Sequence, residues 1–154
     1  MVVEAAYQAM KMRLIVNKFR YFVRRILGIS EDVVYKSDFP DGKLIGKPKE
    51  IGRFSVIDYG GGVKIGRNVK IGYGVIILST STITGSSNKI RITKPVVIED
   101  NVEIGSNSCI LPGVTIGENS TIGAGAVVKG DIPPNSVAVG VPARIVKKKV
   151  KCEE

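Results

Sequence analysis

Apolar residues recur at a fixed interval of six along the C-terminal half of the chain. The leading positions are Ile98, Ile104, Ile110, Ile116, Ile122 and Val128. Because six is not close to a multiple of 3.6, an α-helix would scatter these side chains around its surface. On β-strands they would all point to one face, because six is a multiple of two. The pattern therefore predicts short repeated β units that bury their faces against one another, as in a parallel β-helix.

The same interval extends toward the N-terminus with two breaks. Weaker hexads begin at Ile45 and continue to Ile83, with a phase slip around residues 58–62 and a second break over residues 84–93. Insertions in a stacked solenoid are extruded at a corner, because the coils leave no room inside. We predict about five coils over residues 45–133. An irregular connection is expected over residues 31–44, and an exit with a solvated basic tail over residues 134–154.

A helical pattern occupies residues 1–30. One stripe is formed by Met12, Ile15, Phe19, Phe22, Val23 and Ile26, with most basic residues off it. This spacing predicts an N-terminal amphipathic helix that ends near Gly28. The helix either packs its stripe on the β-helix or a neighbouring subunit, or rests with residues 5–27 on an anionic membrane surface. Nucleic acid is not expected as a partner, because no readout motif accompanies the charge.

Residues 94–146 resemble the hexapeptide-repeat acyltransferase family. The resemblance extends beyond the hexads to ILPGVTIG, IGAGAVV, the DIPPNSV turn and the VPARIV exit. It implies a left-handed coil of three hexads per turn and a homotrimer. The hand comes from the resemblance alone, because the usual crossover rule would have favoured a right-handed coil.

Composition adds limits on the class of protein. The 154 residues form one domain, and with four Phe, five Tyr and no Trp the core must consist of Ile and Val. Cys109 and Cys152 form no motif and are expected to be reduced thiols. We find no apolar run long enough to span a bilayer and no signal peptide, so we expect a cytoplasmic protein, with contact at the inner face of the membrane as the alternative.

The net charge of +9 is concentrated at the two ends of the chain. Residues 1–30 carry six Lys or Arg against one Glu, and residues 144–154 carry five against two. The body between them is nearly neutral. This asymmetry favours anionic partners at the ends, either phosphates or lipid headgroups.

In the resembling family a loop just before the KPVVI segment borders the active site and carries a histidine as general base. Alignment of residues 65–84 places Thr82 at that position, with Thr80 close enough to leave the register open. This chain has no histidine, and a threonine hydroxyl is not a base at neutral pH. Glu103, where many members have tryptophan, and Asp58 are the alternative bases, although such carboxylates are more often corner residues in water.

The resemblance also implies that the pantetheine arm of acetyl-CoA lies along the coils. The implied cofactor contacts are Gly105, Ser106, Gly123, Ala124, Gly125 and Ala143, with Lys129, Arg144 and residues 147–149 near the phosphates. The alternative is that Gly123 and Ala124 are small only because a corner requires it. No metal is expected, because the chain lacks imidazole ligands and a Cys/Asp/Glu cluster.

The resemblance implies transfer of an acyl group from acetyl-CoA to a sugar or similar small acceptor, in surface-polysaccharide or nucleotide-sugar metabolism. Without a histidine base, an amine acceptor is favoured over an alcohol, because a deprotonated amine presents its own lone pair. The alternative function is a non-catalytic binding or scaffold protein that lost catalysis together with the histidine.

Overall fold

A computed structural model describes residues 33–37, 42–83 and 90–149 of the chain. All seventeen elements of regular structure in these ranges are β-strands. None of these ranges contains a helix long and apolar enough to span a membrane. The predicted N-terminal amphipathic helix lies outside the described residues.

Three sheets and one hairpin contain all of these strands. Sheet A consists of β1 (Val33–Lys36), β4 (Ser55–Asp58), β7 (Ile76–Leu78), β12 (Cys109–Ile110) and β15 (Val127–Val128). Sheet B consists of β2 (Leu44–Ile45), β5 (Val63–Ile65), β10 (Val96–Ile98) and β13 (Thr115–Ile116). Sheet C consists of β3 (Glu50–Ile51), β6 (Lys70–Ile71), β11 (Glu103–Ile104), β14 (Thr121–Ile122), β16 (Ser136–Val139) and β17 (Arg144–Lys148). The hairpin pairs β8 (Thr80–Ile83) with β9 (Ile90–Thr93).

The chain visits sheets A, B and C in that order, and each round forms one coil. The first coil is β1, β2 and β3, and the fifth is β15, an isolated bridge at Ile132, and β16. Strands of successive coils are parallel and in register, so five coils stack. We call the turns between the sheets the A–B corner, the B–C corner and the C–A corner.

The hexad residues fill the space between the three sheets. On sheet A the register places Ile57, Ile77, Ile110 and Val128 in one column, and each is fully buried. Ile98 and Ile116 on sheet B and Ile122 on sheet C are also fully buried. Burying such a side chain stabilises the fold by roughly 1.5–3 kcal/mol. Because each coil repeats the same inward positions, the core is a set of aliphatic ladders.

Asparagine shapes the B–C corner in four successive coils. Asn68, Asn101, Asn119 and Asn135 all have φ between 55° and 58°. Asparagine is among the few residues that adopt this left-handed conformation readily. The side chains also connect the coils, because Nδ2 of Asn68 donates to Oδ1 of Asn101 at 2.9 Å and Nδ2 of Asn119 donates to Oδ1 of Asn135 at 2.8 Å.

Two segments depart from the coil. The β8–β9 hairpin leaves at the A–B corner of the third coil, at the place where the second break in the hexads predicts an extruded insertion. At the other end, β17 turns back antiparallel to β16. Lys147 and Lys148, which the sequence places at the start of the solvated tail, are exposed, and backbone pairing with β16 holds both in a strand.

Candidate active site

The predicted site residues fall on three separate parts of the coil. The C–A corner collects six of them in the third to fifth coils: Gly105, Ser106, Gly123, Ala124, Gly125 and Ala143. Arg144 follows them at the start of β17. Thr82 and Lys129 lie at the A–B corner, and Glu103 lies on sheet C. Glu103 therefore lies close to Gly105 in one chain, whereas Thr82 lies at a different corner from the residues of the C–A corner.

Gly105 and Gly123 are small because the coils stack closely at the C–A corner. A Cβ atom on Gly105 would lie 2.5 Å from the backbone nitrogen of Ala124. A Cβ atom on Gly123 would lie 2.6 Å from Cγ1 of Val139. Real Cβ atoms do not approach other atoms this closely. Close packing at the corner is therefore sufficient to explain why both residues are glycine. For Gly123 this agrees with the alternative interpretation, that the residue is small because the corner requires it.

Ala124 differs from these two glycines, because it is exposed. In the earlier coils Asn107 N–H donates to the Tyr73 carbonyl and Gly125 N–H to the Ser106 carbonyl, both at 2.8 Å. The next coil departs from this stacking around Gly140, whose φ is 96°. Within the described ranges, no backbone hydrogen bond reaches the N–H or the carbonyl of Ala124. This corner can pair with an amide-bearing chain, because a peptide group offers one donor and one acceptor.

The exit of the coil lies directly beside this corner. The Ala143 N–H donates to the carbonyl of Val127 in β15 at 2.8 Å. The Arg144 guanidinium is exposed, and its Nη1 donates to the Ala143 carbonyl at 3.1 Å. Lys129 lies at the opposite edge of sheet A, four residues past Gly125 along the chain. Among the predicted phosphate contacts, Arg144 therefore lies beside the C–A corner, whereas Lys129 lies at the A–B corner of the same chain.

Glu103 occupies a charged column on the outer face of sheet C. Register places Glu50, Lys70 and Glu103 in succession, and Lys70 Nζ lies 3.1 Å from Oε1 of Glu103. The column borders a groove of about 520 Å³ that extends to Gly105 at the C–A corner. The Glu103 side chain is 49 % exposed. Glu103 is paired with Lys70 on sheet C, whereas Thr82 lies in the hairpin at the A–B corner. The two residues therefore do not belong to one site within the chain.

The A–B corner contains a connected set of polar groups beside the hairpin. Thr82 lies in β8 opposite Arg91 in β9. At the base of β8, the Thr80 hydroxyl donates to Oδ2 of Asp58, and the Gly60 N–H donates to Oδ1 of Asp58 at 3.0 Å. Asp58 and Thr80 are separate candidates in the sequence, and the contact between them was not predicted. The sequence contains one indication of this contact, because the phase slip at residues 58–62 and the later insertion fall at the same corner of successive coils.

Ser79 was missed altogether, although it fixes the backbone of this corner. Its side chain is fully buried. The Ser79 hydroxyl donates to the Asp58 carbonyl at 2.7 Å and accepts from the Gly61 N–H at 2.8 Å. Buried polar groups in proteins are almost always paired in this way. The serine therefore joins the second and third coils at the point where the hairpin leaves.

Between the A–B corner and the C–A corner, the outer face of sheet A carries a column of apolar side chains. Its central column is Val34, Val56, Ile76, Cys109 and Val127, in register across all five coils. Val34 is 49 % exposed and Ile76 is 40 % exposed. Burial raises the pKa of the Cys109 thiol. Apolar side chains aligned and partly exposed on one sheet face are typical of a protein interaction surface.

Comparison with known proteins extends these observations. The family described as bacterial transferase hexapeptide (six repeats) matches residues 95–130. Galactoside O-acetyltransferase of Escherichia coli is 38 % identical over 112 residues, which cover 58 % of this chain and 55 % of that protein. Serine acetyltransferase of Bacillus subtilis is 35 % identical over 130 residues, covering 84 % and 56 %. The chain spans about half the length of the curated relatives it matches.

A solved structure agrees with the architecture. The hexapeptide-repeat acetyltransferase VCA0836 of Vibrio cholerae is 30 % identical, with 78 % of this chain and 72 % of that chain covered and a TM-score of 0.58. The same protein has been crystallised with acetyl coenzyme A. The predicted left-handed parallel β-helix is confirmed by this agreement together with the parallel three-sheet topology. Among the described residues no group of three or more His, Cys, Asp or Glu side chains is placed to hold a metal, and the expectation of a metal-free protein stays a prediction.

Proposed function

Because this chain belongs to the hexapeptide-repeat acyltransferase family, we propose that it transfers an acetyl group from acetyl-CoA to a sugar or a similar small acceptor. The observation that carries the proposal is the arrangement of sheet A. Its outer face carries an apolar column, its C–A edge presents the predicted cofactor corner, and its A–B edge presents the hairpin and Asp58. Two edges of one face meet only when two copies of the chain lie side by side.

The proposed assembly is a homotrimer in which sheet A contributes to each contact between subunits. In a closed ring of three, the A–B edge of one subunit faces the C–A edge of the next. Each of the three sites is then built from the hairpin of one subunit and the cofactor corner of its neighbour. The aliphatic column on sheet A supports this arrangement, because contact between subunits would remove it from water.

Acetyl-CoA is proposed to lie along the C–A corner. The available peptide group of Ala124 is suited to pair with the amides of the pantetheine arm. Arg144 is suited to an anionic phosphate, because a guanidinium forms paired hydrogen bonds with phosphate oxygens. The acetyl coenzyme A complex of the V. cholerae protein supports the same co-substrate here. In the trimer, Lys129 would reach the site from the neighbouring subunit.

The acceptor is proposed to be a sugar hydroxyl or amine. Support comes from galactoside O-acetyltransferase among the relatives, whereas the serine acetyltransferases keep an amino-acid acceptor as an alternative to be tested. The non-catalytic scaffold is not favoured, because the relatives and the solved structure reported above are acetyltransferases. Cytoplasmic location and membrane contact through residues 5–27 stay predictions.

Mixed trimers would test the shared site. One variant replaces residues 81–92 by Asn-Gly, which joins Thr80 to Thr93, its partner in the hairpin register. The second variant is Ala124→Trp, which fills the cofactor corner. Each variant alone should be inactive. Equal mixing by co-expression should restore about one quarter of wild-type acetyl transfer, because one in four subunit contacts then joins two intact edges.

The outcomes separate the parts of the proposal. Transfer is measured as CoA thiol release with galactose, maltose, serine and glucosamine as acceptors. Activity in the wild type without recovery on mixing would show that each site lies within one subunit. A monomeric mass in sedimentation equilibrium would contradict the proposed homotrimer. A wild-type protein that releases no thiol with any of these acceptors, and does not bind acetyl-CoA in calorimetry, would contradict the proposed function.

A further inference from the structure

The carboxylate of Asp58 is held ready for a ligand by groups from two coils. Oδ1 accepts the Gly60 N–H from the turn that follows β4, and Oδ2 accepts the Thr80 hydroxyl from the base of β8. The hydroxyl of the buried Ser79 donates to the Asp58 backbone carbonyl at 2.7 Å and so fixes the Asp58 backbone. Side chains placed in this way by surrounding packing and hydrogen bonds lose little freedom when a substrate arrives.

The same carboxylate retains capacity to accept a proton. Each oxygen of an ionised carboxylate has two lone pairs, and the described contacts use one on each oxygen. Asp58 is half-buried, so it is not sealed inside the core. Glu103, the other carboxylate considered, lies on sheet C and is already paired with the Lys70 ammonium. Asp58 is therefore the carboxylate that the fold places beside the hairpin.

We propose that Asp58 is the general base of the transfer reaction, in place of the histidine that the chain lacks. The inference rests on the proposed acyl transfer. As the acceptor oxygen forms its bond to the thioester carbonyl carbon, Asp58 takes the proton from that oxygen. The bond between the carbonyl carbon and sulfur then breaks, and the proton passes from Asp58 to the departing sulfur. The products are the acyl ester and the free thiol, and Asp58 returns to its carboxylate form.

Thr80 has a positioning role in this arrangement. Its hydroxyl holds Oδ2 of Asp58, so it sets the direction of the open lone pair without itself meeting the acceptor. The two threonines that the sequence alignment leaves as alternatives therefore have different places in the structure. Thr80 supports the base, whereas Thr82 lies two residues further along β8, opposite Arg91.

Asp58→Asn is the decisive variant, since asparagine has the same shape and can keep both the Gly60 and Thr80 contacts. General-base help is worth about 10²- to 10⁴-fold in rate, so acetyl transfer to methyl galactoside should fall by that factor. Transfer to the amine of galactosamine, at a pH where the amine is mostly unprotonated, should fall by less than about tenfold, because no proton need leave before attack. The KM for acetyl-CoA should be unchanged. Hydrolysis of acetyl-CoA in the absence of an acceptor should fall by the same factor, because water then takes the place of the sugar hydroxyl.

Asp100→Asn is the matched control. Asp100 also accepts a backbone N–H and a side-chain donor, both from Arg67, but at the B–C corner. This control should leave both activities unchanged. Equal loss of amine and hydroxyl transfer in Asp58→Asn would show a structural role and overturn the inference, as would full hydroxyl transfer. Wild-type protein inactive on every acceptor and in hydrolysis would instead contradict the proposed function itself.

Thr80 variants keep the inference testable if Asp58→Asn does not fold. Thr80→Val retains the carboxylate and the side-chain shape but removes the hydroxyl. It should lower hydroxyl transfer about tenfold and spare amine transfer, while Thr80→Ser should keep hydroxyl transfer near the wild-type rate. If Val and Ser reduce transfer equally, the hydroxyl does not position Asp58 and the inference fails.

Discussion

The B–C corner and the A–B corner are built from the same repeat and have opposite characters. At the B–C corner four of the five coils turn at an asparagine with positive φ, and amide side chains connect neighbouring coils. At the A–B corner the turns differ from coil to coil, and one of them extends into the β8–β9 hairpin. The contrast indicates that the regular corner stabilises the stack, whereas the irregular corner is free to carry chemistry.

This division follows from how a solenoid is stabilised. Each coil is held mainly by its immediate neighbours, so a corner that repeats in every coil adds the same contact many times. A corner that varies loses this repetition and must be held by individual contacts. Ser79 and Asp58 supply such contacts at the A–B corner. Substitutions at the two corners should therefore separate effects on stability from effects on activity.

Removal of the hairpin should have the largest effect on activity. With residues 81–92 replaced by Asn-Gly, acetyl transfer to sugar acceptors should fall by at least about 10³-fold, because the acceptor loses its positioning. The coils should remain folded, since β8 and β9 belong to none of the three sheets of the coil. Ile83, which the hexad pattern assigns to a coil, lies in β8 instead. Thiol release measures the activity, and thermal unfolding followed by circular dichroism measures the stability. Unchanged transfer in this variant would show that the hairpin does not border the site.

The next effect is expected at the cofactor corner. Ala124→Trp should weaken acetyl-CoA binding at least about tenfold, because the indole would occupy the position proposed for an amide-bearing chain. Glu118→Trp is the matched control, since Glu118 is also exposed but lies at the B–C corner. Isothermal titration calorimetry of both variants gives the comparison. Equal affinities of the two variants for acetyl-CoA would show that the cofactor does not bind at the C–A corner.

The sequence predicts the coils well because their period leaves little choice. Ile98, Ile110 and Ile122 point inward only if each hexad forms a strand followed by a corner, and the structure buries all three. The hexads also indicate where insertions leave the coil. They say nothing about how an insertion folds, so the hairpin register and the strand from Arg144 were not predicted.

The site was harder to predict than the coils for a physical reason. Asp58 and Thr80 are separated by 22 residues and meet only because one coil stacks on the next. Sequence periodicity gives the face of a residue but not which polar groups at a corner will bond. Lys129 and Arg144 were grouped by charge, yet Lys129 lies at the A–B corner and Arg144 begins β17 in sheet C. The asparagines of the B–C corner were visible in the sequence and were not used.

A moderate effect on stability is expected from the asparagine ladder. Asn119→Ala should lower the free energy of unfolding by roughly 1–2 kcal/mol, because alanine is strained at the observed φ of 57°. Asn119→Gly loses the same amide hydrogen bond to Asn135 but tolerates that φ. The difference between the two variants in urea unfolding isolates the backbone strain. Identical unfolding midpoints would show that the φ does not matter here, and transfer activity should be retained in both.

The smallest effect should come from Asp100, an exposed carboxylate at the same corner. The Arg67 backbone N–H, followed by its guanidinium, lowers the pKa of Asp100 below the ordinary value. A carboxyl whose pKa is lower in the folded state contributes stability above its unfolded pKa and loses that contribution as the pH falls through the folded pKa. The wild type should therefore lose slightly more stability than Asp100→Asn between neutral pH and about pH 3. Water and salt screen this pair, so the difference should shrink further in high salt. Parallel pH profiles for the two proteins would show that Arg67 and Asp100 do not interact in solution, leaving the asparagines as the stabilising feature of the B–C corner.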